Sequence, residues 1–200
     1  MIPPLDVRPF FASIIGFAVN HNHHLLEAKL VKKCNQIKKK TAKGGNNWLS
    51  QNTYNTLGTF DIVDNKDFLP IQNFVIDAVM SYANKAQIDV THLNQRPHEG
   101  WFNIYNKHDY QEYHIHGAST LSTIYFLSGG RDHARVSFKS PVNQMSRIKF
   151  KQYNDLTYKE MLVDPVPGMC IIFDSSLEHA VEQQTKDKPR ISLAYNFKDL

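Results

Sequence analysis

From Glu99 onward the chain abandons helical periodicity for short alternating runs: "WFNIYN", "YQEYHIH", "STLSTIYFL", "ARVSF", "RIKFKQYN", "EMLVDP", "GMCIIFD", "HAVEQQ" and "RISLAYNF". Alternation of apolar and polar residues is the period of a β-strand, and Gly, Pro and Asp punctuate the runs as turn formers. Many short strands spaced in this way close into a sandwich or barrel. Upstream, Leu26, Leu30, Cys34 and Ile37 recur on one face of a predicted helix, with Asn22 as its cap. Phe74, Val75, Ala78, Val79 and Tyr82 form the buried stripe of a second helix that starts near Asp67, with Pro70 in its first turn. The segment "LDVRPFFASIIGFAV" predicts one or two short strands broken at Gly16. The expected class is α+β, two early packing helices followed by a double-sheet core.

With 200 residues, 42% hydrophobic, the chain can fill one well-packed domain spanning 1–200. A formal net charge of +4 suits an anionic small molecule or a weak nucleic-acid contact and by itself selects neither. The lysine run Lys38–Lys40 reads as a solvated face, and nucleic acid is not expected as a partner. Cys34 and Cys170 each sit inside an apolar pattern, which predicts two packed thiols in a reducing compartment. The longest apolar stretch, Phe10 to Val19, is too short to cross a bilayer and lacks a basic leader, so no membrane is expected and the expected location is cytoplasmic.

The chemistry concentrates in "EYHIH". Residues two apart in a strand project to one face, so His114 and His116 point together, with Glu112 behind them. Two neutral imidazoles so placed can share one iron, copper or zinc ion; a pair of surface histidines on an edge strand is the other reading. Downstream, Pro167-Gly168 makes a turn, "MCIIF" a buried strand, and "DSSLEH" delivers a third imidazole, His179, just beyond it. In the final strand Arg190, Ser192, Ala194 and Asn196 share a small polar face carrying one guanidinium, suited to a bidentate carboxylate. Ile191, Leu193, Tyr195 and Phe197 share the opposite, core face. Other histidines are read as structural or solvated. His21, His23 and His24 form a polar helix start, and His92, His98 and His108 lie in loop-like sequence. His133 approaches the site only if the Gly129-Gly130 turn folds over it. Trp48 and Trp101 are read as core anchors, and the basic excursion between Gly129 and Lys151 as a substrate lid.

Taken in order, "WFNIYN", Gln111, "HIH", "LSTIYFL", Pro165-x-x-Gly168 before "IIF", His179 and "RISLAYN" resemble the 2-oxoglutarate- and Fe(II)-dependent dioxygenases, in particular the small prolyl-hydroxylase-like branch of bacteria and phages. The resemblance covers residues 99–197 most clearly. It implies a double-stranded β-helix (jelly-roll) core over 99–200, with residues 1–98 as mainly helical support and outer strands. It also implies Fe(II), 2-oxoglutarate and O2 as cofactors, with ascorbate as an auxiliary reductant, and hydroxylation of a peptide or metabolite with release of succinate and CO2. By this resemblance His114 and His179 map to metal-ligating histidines, and His116 to a ligand position that is aspartate in most of the superfamily. Arg190 maps to the partner of the distal oxoglutarate carboxylate, with Ser192 beside it. Tyr125, taken as facing inward with Leu121, Thr123 and Leu127, would add a phenolic hydrogen bond, and Asn103 is a weaker candidate for the same task.

With His116 the ligand set is neutral; alternatively Glu112 or a water completes it. The three-histidine set is preferred, because Glu112 lies one pleat away, about 7 Å from His114. Two rival functions remain at this level. A cupin-like metalloprotein also carries H-x-H, but would want a glutamate where Thr120 and Leu121 stand and leaves Arg190 without a task. A non-enzymatic jelly-roll binding or structural module is the second.

Overall fold

β-Branched and aromatic residues crowd the predicted strands, and in the structure, a computed structural model describing residues 12–45, 48–142, 145 and 147–199, they pair into two antiparallel sheets. The chain begins with β1 (Ile15–Val19), α1 (Glu27–Lys38), β2 (Tyr54–Asn55) and α2 (Leu69–Ala86). The strands β3 (Glu99–Tyr105), β4 (Gln111–His114), β5 (Leu121–Ser128), β6 (Val136–Lys139), β7 (Glu160–Val163), β8 (Met169–Asp174), β9 (His179–Val181) and β10 (Arg190–Phe197) follow. The larger sheet has the order β1-β8-β5-β10-β3-β2 and the smaller β4-β9-β6-β7. Two such sheets face to face, with consecutive strands exchanging between them, form the jelly roll expected from the sequence.

The larger sheet is covered on both faces. Toward the helices, Leu121, Tyr125, Leu127, Leu193, Tyr195 and Phe197 pack on Leu30, Cys34, Ile71 and Val75. Toward the smaller sheet, Ile124, Phe126, Ile171 and Phe173 meet Val136, Phe138 and Val181. Burial on two faces makes β5 and β10 buried at every position. For that reason alternation alone does not tell which face of β5 is interior. Tyr125 points at the helices, where its hydroxyl lies 2.8 Å from His23 Nδ1 and accepts from Asn20 Nδ2 at 3.2 Å. The strand presents Ser122, Ile124 and Phe126 to the interior instead.

Other expectations shift in detail. Asn22 does not cap α1: His23–Leu25 form a 3-10 turn, and Leu26 occupies the cap position with no side-chain bond. Within the expected polar helix start His23 is buried. Phe74 and Tyr82 are only partly buried on α2, whose buried stripe is Ile71, Gln72, Val75, Ala78, Val79 and Ala83. "RIKFKQYN" forms no strand. The part of the expected N-terminal strands within residues 1–11 lies outside the described residues. Cys34 and Cys170 are both buried and free, as expected. Among the described residues no helix is long and apolar enough to cross a membrane.

The Pro167-Gly168 turn carries a steric demand. Gly168 has φ +84°, and a Cβ there would lie 2.8 Å from the Cβ of His23. Gly168→Ala combines left-handed strain with a clash against backbone-anchored atoms, and should cost about 2 kcal/mol or more. An unchanged urea midpoint for this variant would contradict that packing.

Candidate active site

β4 and β9 pair with His114 directly opposite His179, and the backbone N–H of His116 donates to Ser175 O at 2.9 Å. These two attachments converge three imidazoles. Ring centroids lie 4.3 Å (His114–His179), 4.9 Å (His116–His179) and 5.2 Å (His114–His116) apart. One ligating nitrogen from each falls within 4.8 Å of the others, so the three can meet a single ion.

Their hydrogen bonds orient the lone pairs. His114 Nδ1 donates to Glu112 O at 2.8 Å and His179 Nδ1 donates to Leu177 O at 2.9 Å. His116 Nδ1 lies 2.8 Å from Ser122 Oγ and 2.9 Å from Asn196 Oδ1. With Nδ1 carrying the hydrogen, Nε2 keeps the pair of electrons a metal needs. Burial disfavours the imidazolium at all three: it depresses His114, lowers His116 to about 4, and pushes His179 well below its ordinary value. Neutral rings packed against Phe138, Phe173 and Trp101 at neutral pH are the protonation state for ligation.

Glu112, the alternative third ligand, is committed elsewhere. Its carboxylate accepts the backbone N–H groups of Leu49 at 2.7 Å and Ser50 at 3.2 Å. It thereby ties down the segment that holds Trp48, whose ring lies 6.4 Å from that of His114. Glu112→Gln should therefore leave Fe(II) affinity unchanged. Loss of metal binding in an anaerobic titration of that variant would return Glu112 to the ligand set.

The imidazoles open on a cavity of about 380 Å³, counting its mouth, lined among others by Trp48, Trp101, Asn103, Gln111, Arg190 and Ser192. Arg190 is fully buried, its guanidinium 4.7 Å from the Tyr105 ring and 5.1 Å from that of Phe126. Among the described residues its Nε, Nη1 and Nη2 make no hydrogen bond of ordinary distance and angle, and the Tyr105 phenol is the polar group that interacts favourably with the charge. Trp101 Nε1 and Gln111 Nε2, which also line the cavity, are likewise unpartnered donors, as Asn103 Oδ1 is an unpartnered acceptor. Among the described residues no carboxylate lines the cavity. A buried cation without a counter-ion costs several kcal/mol, so a site of this kind is built for an anion that arrives with the ligand.

Of the residues singled out in the sequence, His114, His116, His179, Arg190, Ser192 and Asn103 come together at this cavity, and Tyr125 does not. His133 stays outside the lining, although both its ring nitrogens are buried without a partner. Trp48, Trp101, Tyr105 and Gln111 are wall residues that the sequence reading did not assign to the site. Donors of Gln111 and Trp101 types beside an H-x-H run were the available signal.

The class that this fold and cavity define is the Fe(II)- and 2-oxoglutarate-dependent oxygenases. Residues 99–196, the stretch that carries all three imidazoles and Arg190, match the model of the family described as "Putative 2OG-Fe(II) oxygenase". A search of curated proteins returns no match. Among solved structures, a prolyl-4-hydroxylase from Pseudomonas putida is similar at 14% identity and TM-score 0.62, over 92% of this chain and 93% of that one. A prolyl hydroxylase from Trichoplax adhaerens, solved with a hypoxia inducible factor peptide fragment, is similar at 12% identity and TM-score 0.63, over 92% and 84%. A viral collagen prolyl hydroxylase from Paramecium Bursaria Chlorella virus-1, solved with 2OG, is similar at 10% identity and TM-score 0.58, over 92% and 96%. At these identities the likeness to the solved structures establishes the fold.

Proposed function

We propose that the protein hydroxylates an aliphatic carbon of a peptide or metabolite at a three-histidine Fe(II) centre, with His114, His116 and His179 as the ligands. When bound, Fe(II) and 2-oxoglutarate supply O2 activation coupled to conversion of the co-substrate to succinate and CO2. The chain's own part is to hold and to exclude. Arg190 takes the distal carboxylate of oxoglutarate bidentately, and Gln111, Ser192 and Asn103 offer polar contacts along the same wall. The single observation that supports this most is the buried guanidinium of Arg190, without a counter-ion among the described residues, in the same cavity as the three imidazoles. An inert jelly roll would have no reason to bury that charge.

Aromatic walls at Trp48, Trp101 and Tyr105 keep bulk water from the reacting region, which strengthens the electrostatic grip on a dianion. The helical residues belong to the same catalytic domain on this reading, as α1 packs on β5 and α2 on β8, at the back of the sheet that also contains β10 and Arg190. Anaerobic titration with Fe(II) and then 2-oxoglutarate tests the reading. A weak visible charge-transfer band that requires both is expected, and a cupin-like or inert module gives none. Succinate release over a panel of prolyl and lysyl peptides and small metabolites then identifies the substrate class.

A further inference from the structure

Asn196, near the end of β10, lies directly opposite Glu99 on β3 and Ser122 on β5. Its side-chain amide is held from both sides. Nδ2 donates to Glu99 Oε2 at 3.0 Å, while Oδ1 accepts from Ser122 Oγ at 2.8 Å and lies 2.9 Å from His116 Nδ1. Ser122 Oγ is itself 2.7 Å from Ser175 Oγ, and Ser122, Ser175 and Asn196 are all buried. A carboxylate can only accept, so Glu99 dictates which way the amide faces: NH2 outward, carbonyl toward the ring. A carbonyl oxygen can only accept as well, so the hydrogen of His116 sits on Nδ1 and Nε2 keeps its lone pair. With the amide turned over, its NH2 would meet Nδ1 and select the tautomer with hydrogen on Nε2, which cannot ligate.

We infer that Glu99 is a positioning residue of the metal centre. Acting through Asn196 it sets the tautomer of His116, and it supplies, two hydrogen bonds away from the ring, the negative charge that an all-histidine ligand set lacks. The inference rests on His116 being a ligand, as proposed above. Glu99 lines a separate groove with Asp61 and His98 rather than the cavity of Arg190, so its influence on the ion runs through the amide. Outer hydrogen-bond partners of ligating histidines raise their basicity and fix their orientation.

Co(II) serves as the probe, with two readouts: its dissociation constant, and the number of solvent-exchangeable, paramagnetically shifted imidazole N–H resonances. The parent should show three such resonances, one for each Nδ1–H. Glu99→Ala should weaken Co(II) binding by about 10–100-fold and lose one resonance while the other two persist. Glu99→Gln, which keeps an acceptor but drops the charge, should fall between parent and Glu99→Ala, and it decides the matter if the alanine variant does not fold. Parent-like affinity with three resonances in the folded Glu99 variants overturns the inference and leaves the three-histidine reading standing. Parent-like Co(II) affinity in His116→Ala, or only two resonances in the parent, overturns that reading and the inference with it.

Discussion

Arg190→Met should destroy 2-oxoglutarate binding while leaving the unliganded protein at least as stable as its parent. The two effects have one cause. In the free protein the guanidinium is fully buried between the rings of Tyr105 and Phe126, without a counter-ion among the described residues. An apolar side chain of similar length in that place removes a desolvated charge, and substitutions of this kind are neutral or stabilising by about 1–4 kcal/mol. In the proposed complex the same charge meets a carboxylate, and breaking a buried pair costs about 3–5 kcal/mol, which is roughly a hundredfold or more in affinity. Calorimetry should find no measurable oxoglutarate binding to the Fe(II)-loaded variant. Thermal unfolding should show that added oxoglutarate raises the midpoint of the parent alone. Oxoglutarate affinity that survives the substitution would remove Arg190 from the co-substrate site.

The second large effect is expected at His116, where aspartate and alanine should part company. His116→Ala takes away one of the three proposed ligands and should abolish tight Fe(II) binding. His116→Asp restores a ligand and adds the single negative charge of the usual facial triad, so Fe(II) binding and oxoglutarate turnover should match or exceed those of the parent. Ser122 Oγ, bonded to Ser175 and Asn196, keeps its partners without the imidazole. Complete loss of metal binding in His116→Asp, in a protein that still folds, would mean that position 116 does not face the ion.

Much of this site was legible because its parts repeat at short range. His114 and His116 share a face through the two-residue period of a strand, and so do Arg190 and Ser192. Tyr125 was misplaced for the complementary reason. With helices on one side of β5 and the second sheet on the other, no position on that strand is polar and exposed, so the period survives but its phase does not. "RIKFKQYN" alternates as a strand would and yet forms no strand, because alternation describes a side-chain pattern and cannot supply a neighbouring edge. Glu112 shared a face with the histidines in the sequence, but only the folded chain brings Leu49 and Ser50 to occupy its carboxylate.

By itself the sequence determined the strand-rich second half, the two helices, the three candidate imidazoles and the lone guanidinium, since each is written in spacings of a few residues. Tertiary structure alone decided which face of each strand looks inward. It also decided that Arg190 is stranded without a counter-ion, and that Glu99 and Asn196 reach His116. Those contacts join residues as far as 97 positions apart, and the pairing of strands that creates them depends on the packing of two sheets and two helices rather than on any local pattern.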